Sequence, residues 1–227
     1  MIVAIHQPNF IPWLGYFYKI AKADVFVLLD DVQYTKNSFI NRNRIKTPQG
    51  KLWLTIPVIH SGQFGQLINE VKIQNPGRSL NKIIKSIESN YIKAPFFDEV
   101  FNIVETGLIQ TDNLAEINEA MIVEILGYLG VGTRIIRSSD LAINETNSSH
   151  RLVKICEVLG AKTYLSGFGS SNYQENEVFV KAGIKSEVYD FIHPEYTQLW
   201  GEFTHSLSIL DVLFNLRDTK LKKLLGV

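Results

Sequence analysis

Two short apolar runs near the start of the chain, "IVAI" at 2–5 and "VFVLL" at 25–29, constrain its fold more than any other feature. Continuous apolar runs of this length suit strands buried on both faces, as in a parallel sheet. Parallel neighbours need a crossover, and residues 16–23 between them carry apolar side chains at near-helical spacing. The chain therefore opens on a strand–helix–strand unit. Further on, "RIIRSS" (134–139), "TYLSG" (163–167) and "SEVYDF" (186–191) read as strands, separated by helical "SHRLVKICEVLGA" and "ENEVFVKAG". The tail "SLSILDVLFNLRDTKLKKLLG" reads as one or two closing helices. Such alternation predicts a three-layer α/β fold with a mostly parallel, Rossmann-like sheet.

The texture differs between 38 and 130. "SFINRNRI" and "KLWLTIPV" alternate around "KTPQGK", whose Pro and Gly are turn residues, so a β-hairpin is expected, with "LINEVKI" at 67–73 as a third antiparallel strand. From 79 to 130 the pattern is helical, broken at Pro95, and Asn113 is placed to cap "NLAEINEAMIVEILGYLG". No repeat or composition break divides the chain. The expectation is a single α/β domain over 1–227, with 38–130 as a hairpin and helical insertion within it.

Composition narrows the function classes. Lysine plus arginine and aspartate plus glutamate number 23 each, so the overall basic field that non-specific nucleic-acid binding needs is absent. One cysteine, Cys156, rules out an intrachain disulfide framework and suits a reducing compartment. The first residues carry no leader pattern, and no stretch approaches the ~18 apolar residues of a spanning helix. A cytoplasmic location without membrane insertion is the expectation, and 227 residues suffice to bury a core.

In an open parallel sheet ligands bind at the carboxyl ends of the strands, which selects the residues to weigh. His6 follows the first strand, where an imidazole can act as general base, or can instead fix the shape of the loop. Gln7 and Asn9 lie beside it, while Trp13 and Tyr16 can supply stacking walls or simply core. Asp30 and Asp31 follow the second strand and could orient a base or hold Mg2+, although neighbouring strand residues point opposite ways. In "NRNR", period-two spacing puts Arg42 and Arg44 on one face, a pair of forks suited to phosphate or carboxylate, with Asn43 between them. The same arginines would also serve as a solvated hairpin face. Ser166, Gly167, Ser170 and Ser171 in "SGFGSS" resemble a phosphate-cradling loop or an ordinary turn. His193 is a further titratable group, without metal-ligand spacing to another His or Cys.

The stretches "IHQPNFIPWLGYFYKIAKADVFVLLDDVQYTKNSFINRNRIK", "YLSGFGSSNY", "FIHPEY" and "LSILDVLFN" resemble the WbqC-like family of bacterial surface-polysaccharide (O-antigen) gene clusters. The likeness runs to about residue 215, with 75–130 carrying little that is diagnostic. It implies modification of an activated sugar, with acyl or aminoacyl transfer to an amino sugar as one form of it. "PWLGYFYKIAKADVFVLLDD" is also similar to the start of the nucleotidylyltransferase superfamily, whose His-x-Gly-His motif binds nucleotide phosphates. Here only Gly15 matches, with Trp13 and Tyr16 at the two histidine positions, which removes the groups that stabilise the transferring phosphate. The partner expected is a small phosphate-bearing activated sugar, with His6 as base, Asp30 or Asp31 orienting it or holding magnesium, and Arg42 and Arg44 gripping the anion. An ATP-dependent ligase or nucleotidyltransferase, and a non-catalytic sugar-nucleotide-binding subunit, are the alternatives.

Overall fold

The computed structural model describes residues 1–60, 62, 64–108, 111–167 and 176–226. β1 (Ile2–His6), α1 (Leu14–Ala21) and β2 (Val25–Leu28) form the expected opening unit. Then come the hairpin β3 (Arg42–Thr47) and β4 (Gly50–Thr55), and the short strands β5 (Val58–Ile59) and β6 (Lys72–Ile73). Three helices follow, α2 (Pro76–Tyr91), α3 (Phe97–Gly107) and α4 (Leu114–Leu129). The chain then returns to the sheet through β7 (Arg134–Arg137), α5 (Ser148–Val158), β8 (Thr163–Ser166), α6 (Asn176–Lys181) and β9 (Lys185–Val188), and closes with α7 (Ile209–Asn215) and α8 (Asp218–Leu225).

Five strands make the central sheet in the order β7-β2-β1-β8-β9, all neighbours parallel. The chain starts in the middle, winds outward through β2 and β7, then reverses to β8 and β9. The order reverses between β1 and β8, the switch point near which such sheets bind ligands.

Alternation along these short strands sorts side chains into two cores. Ala4, Phe26, Leu28 and Leu165 face a large cluster shared with α1, the hairpin, α2 to α4, α7 and α8. Val3, Ile5, Val25, Val27 and Tyr164 face a smaller one, closed by Val153, Ile155 and Cys156 of α5 and Phe179 of α6. Helices on both faces make this the three-layer Rossmann-like fold, and the inserted segment shares the larger core. Burial pushes the Cys156 thiol up to about 12, so it packs as a small apolar group.

Two local expectations change. Residues 67–73 do not extend the hairpin: Ile68–Glu70 forms a 3-10 turn, and β6 pairs with β5 in a separate two-stranded ladder. The first inserted helix starts at Pro76, ahead of 79, because Asn75 at φ 47° turns the chain and proline suits the first helical position. Asn113 does cap α4, accepting from the N–H groups of Ala115 (2.9 Å) and Glu116 (3.2 Å). Among the described residues no helix is long and apolar enough to cross a membrane.

Candidate functional site

Buried asparagines set the shape of the loop after β1. Asn118 of α4 donates to the carbonyls of Pro8 and Ile40, each at 2.8 Å. Asn43 of β3 donates to the carbonyls of Phe10 (3.2 Å) and Ile11 (2.7 Å), and its oxygen accepts from the Arg44 N–H. Main-chain bonds from Phe10 to Phe39 and from Ile209 to Pro12 complete the clamp. Ile11 sits at φ 40°, a left-handed conformation that costs a β-branched residue about 1–3 kcal/mol and persists only where neighbours over-determine it.

His6 stands at the head of this loop. Its Nδ1 lies 3.1 Å from the Gln7 carbonyl, which can only accept, so Nδ1 carries the proton and Nε2 keeps its lone pair. Tyr16 donates to the same carbonyl at 3.1 Å and meets the imidazole edge-on at 4.9 Å, with Trp13 at 5.9 Å. Burial, helped by the nearby Lys19 charge, lowers His6 to about 3. Lys19 itself is buried beneath β1, donates to the Ile5 carbonyl at 2.7 Å, and is brought down to about 7 by desolvation. The imidazole is therefore neutral across the physiological range.

In front of Trp13 opens a cleft of about 360 Å³. Trp13, Phe39 and Phe191 give it aromatic walls, while Arg44, His193, His205 and Ser206 supply polar groups. The Phe191 ring packs on the start of α1, where a Cβ added at Gly15 would meet its Cδ1 at 2.9 Å. Gly15 does permit a close approach, and the group that approaches is this phenyl ring.

The segment after β9 is tied down by a buried charge network. Lys46 of β3 donates to Gln198 Oε1 (3.0 Å) and to the carbonyls of Gly201 (3.3 Å) and Glu202 (2.5 Å). Asp211 of α7 accepts from Tyr91 (2.8 Å), Tyr196 (2.7 Å) and Gln198 (2.8 Å). Burial raises the Asp211 carboxyl, and the tyrosine hydrogen bonds pull it back. His193, held on this segment, points Nδ1 at the Pro194 carbonyl (2.9 Å), so its Nε2 is likewise an acceptor, and burial lowers its pKa. His205 lies with its ring centre 6.4 Å away.

Arg42 and Arg44 share one face of the hairpin, as period-two spacing requires, and both guanidinium groups lie over Trp53, at 4.3 and 5.1 Å from the ring centre. Among the described residues neither has a carboxylate at ion-pair distance, and the Nε of each is buried without a hydrogen-bond partner.

The residues singled out in the sequence thus separate. His6, Trp13 and Tyr16 come together, and Trp13, Asn43, Arg44 and His193 border the cleft. Asn43, however, has its amide occupied by the loop it clamps, and the Ser166 hydroxyl is occupied by the Glu187 carbonyl at 3.2 Å. Asn9 is buried, and the Gln7 carbonyl is shared by His6 and Tyr16. Asp30 and Asp31 turn toward the segment after β7. Asp30 accepts from Ser138, from the Ser139 N–H (3.0 Å) and from the Ser139 hydroxyl (2.7 Å). Asp31 accepts from Ser138 and pairs with Arg151 at 2.5 Å. Among the described residues no group of three or more His, Cys, Asp or Glu is arranged to hold a metal, so a magnesium role for this pair gains no geometry. Gly167 closes the described part of its loop, and Ser170 and Ser171 lie outside the described residues.

Sequence reasoning missed Trp53, although a hairpin turning at 48–49 already sets Trp53 opposite Arg44. Phe191 and His205 carried no pattern of their own. Asn118 sits in a helix that periodicity alone reads as core.

Comparison with known proteins agrees with the motif. No solved structure matches the chain. The uncharacterized protein Rv1507c of Mycobacterium tuberculosis is 39% identical over 217 residues, covering 94% of this chain and 93% of that protein. The family model described as the WbqC-like protein family matches residues 7–223, which takes in the clamped loop, the hairpin arginines and the segment that closes the cleft. The chain belongs to the WbqC-like protein family.

Proposed function

We propose that the protein is a transferase that modifies a phosphate-bearing activated sugar in the cleft between Trp13, the hairpin and the segment after β9. Acyl or aminoacyl transfer to an amino sugar, in surface-polysaccharide assembly, is the reaction that best suits the groups present. One observation carries the reading. The cleft joins three aromatic walls to an Arg44 guanidinium that has no carboxylate partner among the described residues, and to the His193 imidazole, whose pKa burial lowers. Aromatic walls accept the faces of sugar or base rings, and the guanidinium accepts a phosphate oxygen.

His193 is the favoured base, because it borders the cleft and its Nε2 can take the proton released as the amine or hydroxyl of the sugar attacks the carbonyl carbon of an acyl donor; the bond from that carbon to the donor's carrier then breaks, and the carrier leaves with the proton. His6, first suggested by sequence, is a weaker base at about 3 and lies against Trp13 and Tyr16, where it supports the cleft wall. Nucleotidyl transfer at the start of α1 is disfavoured by the Phe191 ring seated on Gly15.

The test is mass-spectrometric detection of transfer with sugar nucleotides and acyl donors, using wild type, His193→Ala and His6→Ala. General-base catalysis is worth about 10²–10⁴ in rate, so His193→Ala should lose that much kcat while keeping its thermal midpoint and its affinity for the sugar nucleotide. Full turnover by folded His193→Ala together with loss in His6→Ala would return the role to His6. Binding without turnover in wild type would leave only a binding subunit.

A further inference from the structure

The hairpin has one edge that the rest of the chain does not use. β4 pairs with β3 alone, and the two-residue turn at 48–49 makes Thr47 and Gly50 a hydrogen-bonded pair. Alternation then bonds Ile45 to Leu52 and Asn43 to Leu54, and turns the main-chain groups of the residues between them outward. On β3 the outward groups are answered: the Lys46 N–H donates to the Tyr91 hydroxyl (3.1 Å) and the Arg44 carbonyl accepts from the Ser208 N–H (2.8 Å). On β4 the same register turns out the N–H and carbonyl of Trp53 and Thr55, and among the described residues nothing answers them.

This edge lines a groove of about 630 Å³. Four consecutive residues, Leu52 to Thr55, form one wall, as the edge of a strand does and one face of it, with its alternating side chains, does not. The other wall is α2. The Gln74 N–H donates to the Pro57 carbonyl at 2.8 Å and ties the two walls together at one end. From that tie, residues 57 back to 52 and residues 75 on to 86 each cover roughly 16 Å, so strand edge and helix run side by side along the groove. Leu54 and Ile83 are buried there, while Leu52 and Trp53 are exposed. The charged groups of the groove are Arg78 and Lys82, both exposed, and neither makes an ion pair among the described residues. Arg78 stands in the first turn of α2, which holds no acidic residue and where the helix dipole disfavours a cation.

We infer that the groove between β4 and α2 is a docking site for an extended acidic polypeptide segment, which adds to β4 as a third strand of the hairpin sheet. The main chain of the segment exchanges N–H and carbonyl bonds with Trp53 and Thr55, the mode in which a free strand edge takes up a peptide. Arg78 and Lys82 lie about one helical turn apart, roughly 6 Å along the axis, close to the roughly 7 Å between alternate residues of an extended chain. Carboxylates two positions apart on the segment therefore meet both cations. No acidic side chain lines the groove, so the complementary charge comes from its occupant. The site is separate from the cleft before Trp13, and the inference does not depend on the reaction proposed there.

A positional-scanning library of seven-residue peptides, acetylated and amidated, screened against the full chain by fluorescence anisotropy, tests it. The best binder is then followed on the indole N–H signals of nitrogen-15-labelled protein. The selected peptides are expected to carry Asp or Glu at two positions two apart, and to shift the Trp53 signal while leaving that of Trp13 in place. The double variant Arg78→Gln with Lys82→Gln should weaken binding about tenfold at an unchanged thermal midpoint, as should Gln at both acidic positions of the peptide. N-methylation of the peptide nitrogens that face β4 should abolish binding. Thr55→Pro removes one outward N–H without removing a hairpin bond and should weaken binding severalfold. No selection above background, or binding indifferent to the cation variants or to N-methylation, would overturn the inference. A Trp53 shift given by inorganic phosphate or AMP and by no peptide would assign the groove to a small anion instead. One that grows with protein concentration alone would assign it to a second copy of the chain, and either result likewise overturns the inference.

Discussion

Asp30–Asp31 and Arg42–Arg44 flank the same stretch of chain and end in opposite states. The acidic pair accepts from Ser138 and Ser139 and is paired with Arg151, while among the described residues the basic pair has no carboxylate partner and stacks on Trp53. A buried charge completed by its own protein contributes to holding the fold. One left incomplete costs stability. Charge in a motif therefore says little about function until its partners are counted.

Titration perturbs this contrast most, because it adds a charge without altering a side chain. The folded value of His6, about 3, lies below its ordinary 6.5. Between those values the unfolded chain binds a proton that the folded chain refuses, so stability falls as pH drops from 6.5 toward 3 and is unaffected by this group above 6.5. The loss should approach roughly 3–5 kcal/mol at the acid end, measured as the difference between urea midpoints of wild type and His6→Gln across that window. A difference that does not change with pH would show that His6 is not desolvated.

Asp30→Ala comes next. It strands the N–H and hydroxyl donors of Ser139 and should cost about 3 kcal/mol, or roughly 6–12 °C in thermal midpoint for a chain of this size. Intact stability with lost turnover would reverse the comparison and restore the aspartate to the chemistry. Arg151→Met leaves Asp31 with Ser138 alone, a largely buried pair broken on one side, and about 2 kcal/mol of destabilisation is expected in equilibrium denaturation. The double variant Arg42→Gln with Arg44→Gln should show the smallest change, about 1 kcal/mol, because among the described residues neither makes an ion pair and what is lost is the stacking on Trp53. A loss of several kcal/mol there would mean that the hairpin needs those cations to fold.

Much of the frame was legible in the sequence. Apolar runs identified the inner strands, the Pro-Gly turn identified the hairpin, and period two put Arg42 and Arg44 on a common face. Strand order was not legible, because nothing local in β7 or β8 says which side of β1 it joins. The site was read in part. Asn43 looked like a ligand contact because an amide between two arginines has no local partner, yet its partners are carbonyls more than thirty positions earlier. The partners of Asp30 and Asp31 likewise lie far along the chain, beyond β7, where no local pattern points to them. Conversely, Phe191 and His205 reach the cleft through the Lys46 and Asp211 network, a long-range arrangement without any local pattern.

The ring of Phe191 on Gly15 makes two distant positions share one volume. Whatever occupies 15 sets the size allowed at 191, so the two sites should vary as a pair, with a larger residue at one tolerated only beside a smaller one at the other. An alanine at 15 would be felt as a change in the shape of the cleft, since the displaced ring is one of its walls. The dimensions of the cavity are thus set in part by a hydrogen atom on the first turn of a helix, where a side chain is missing.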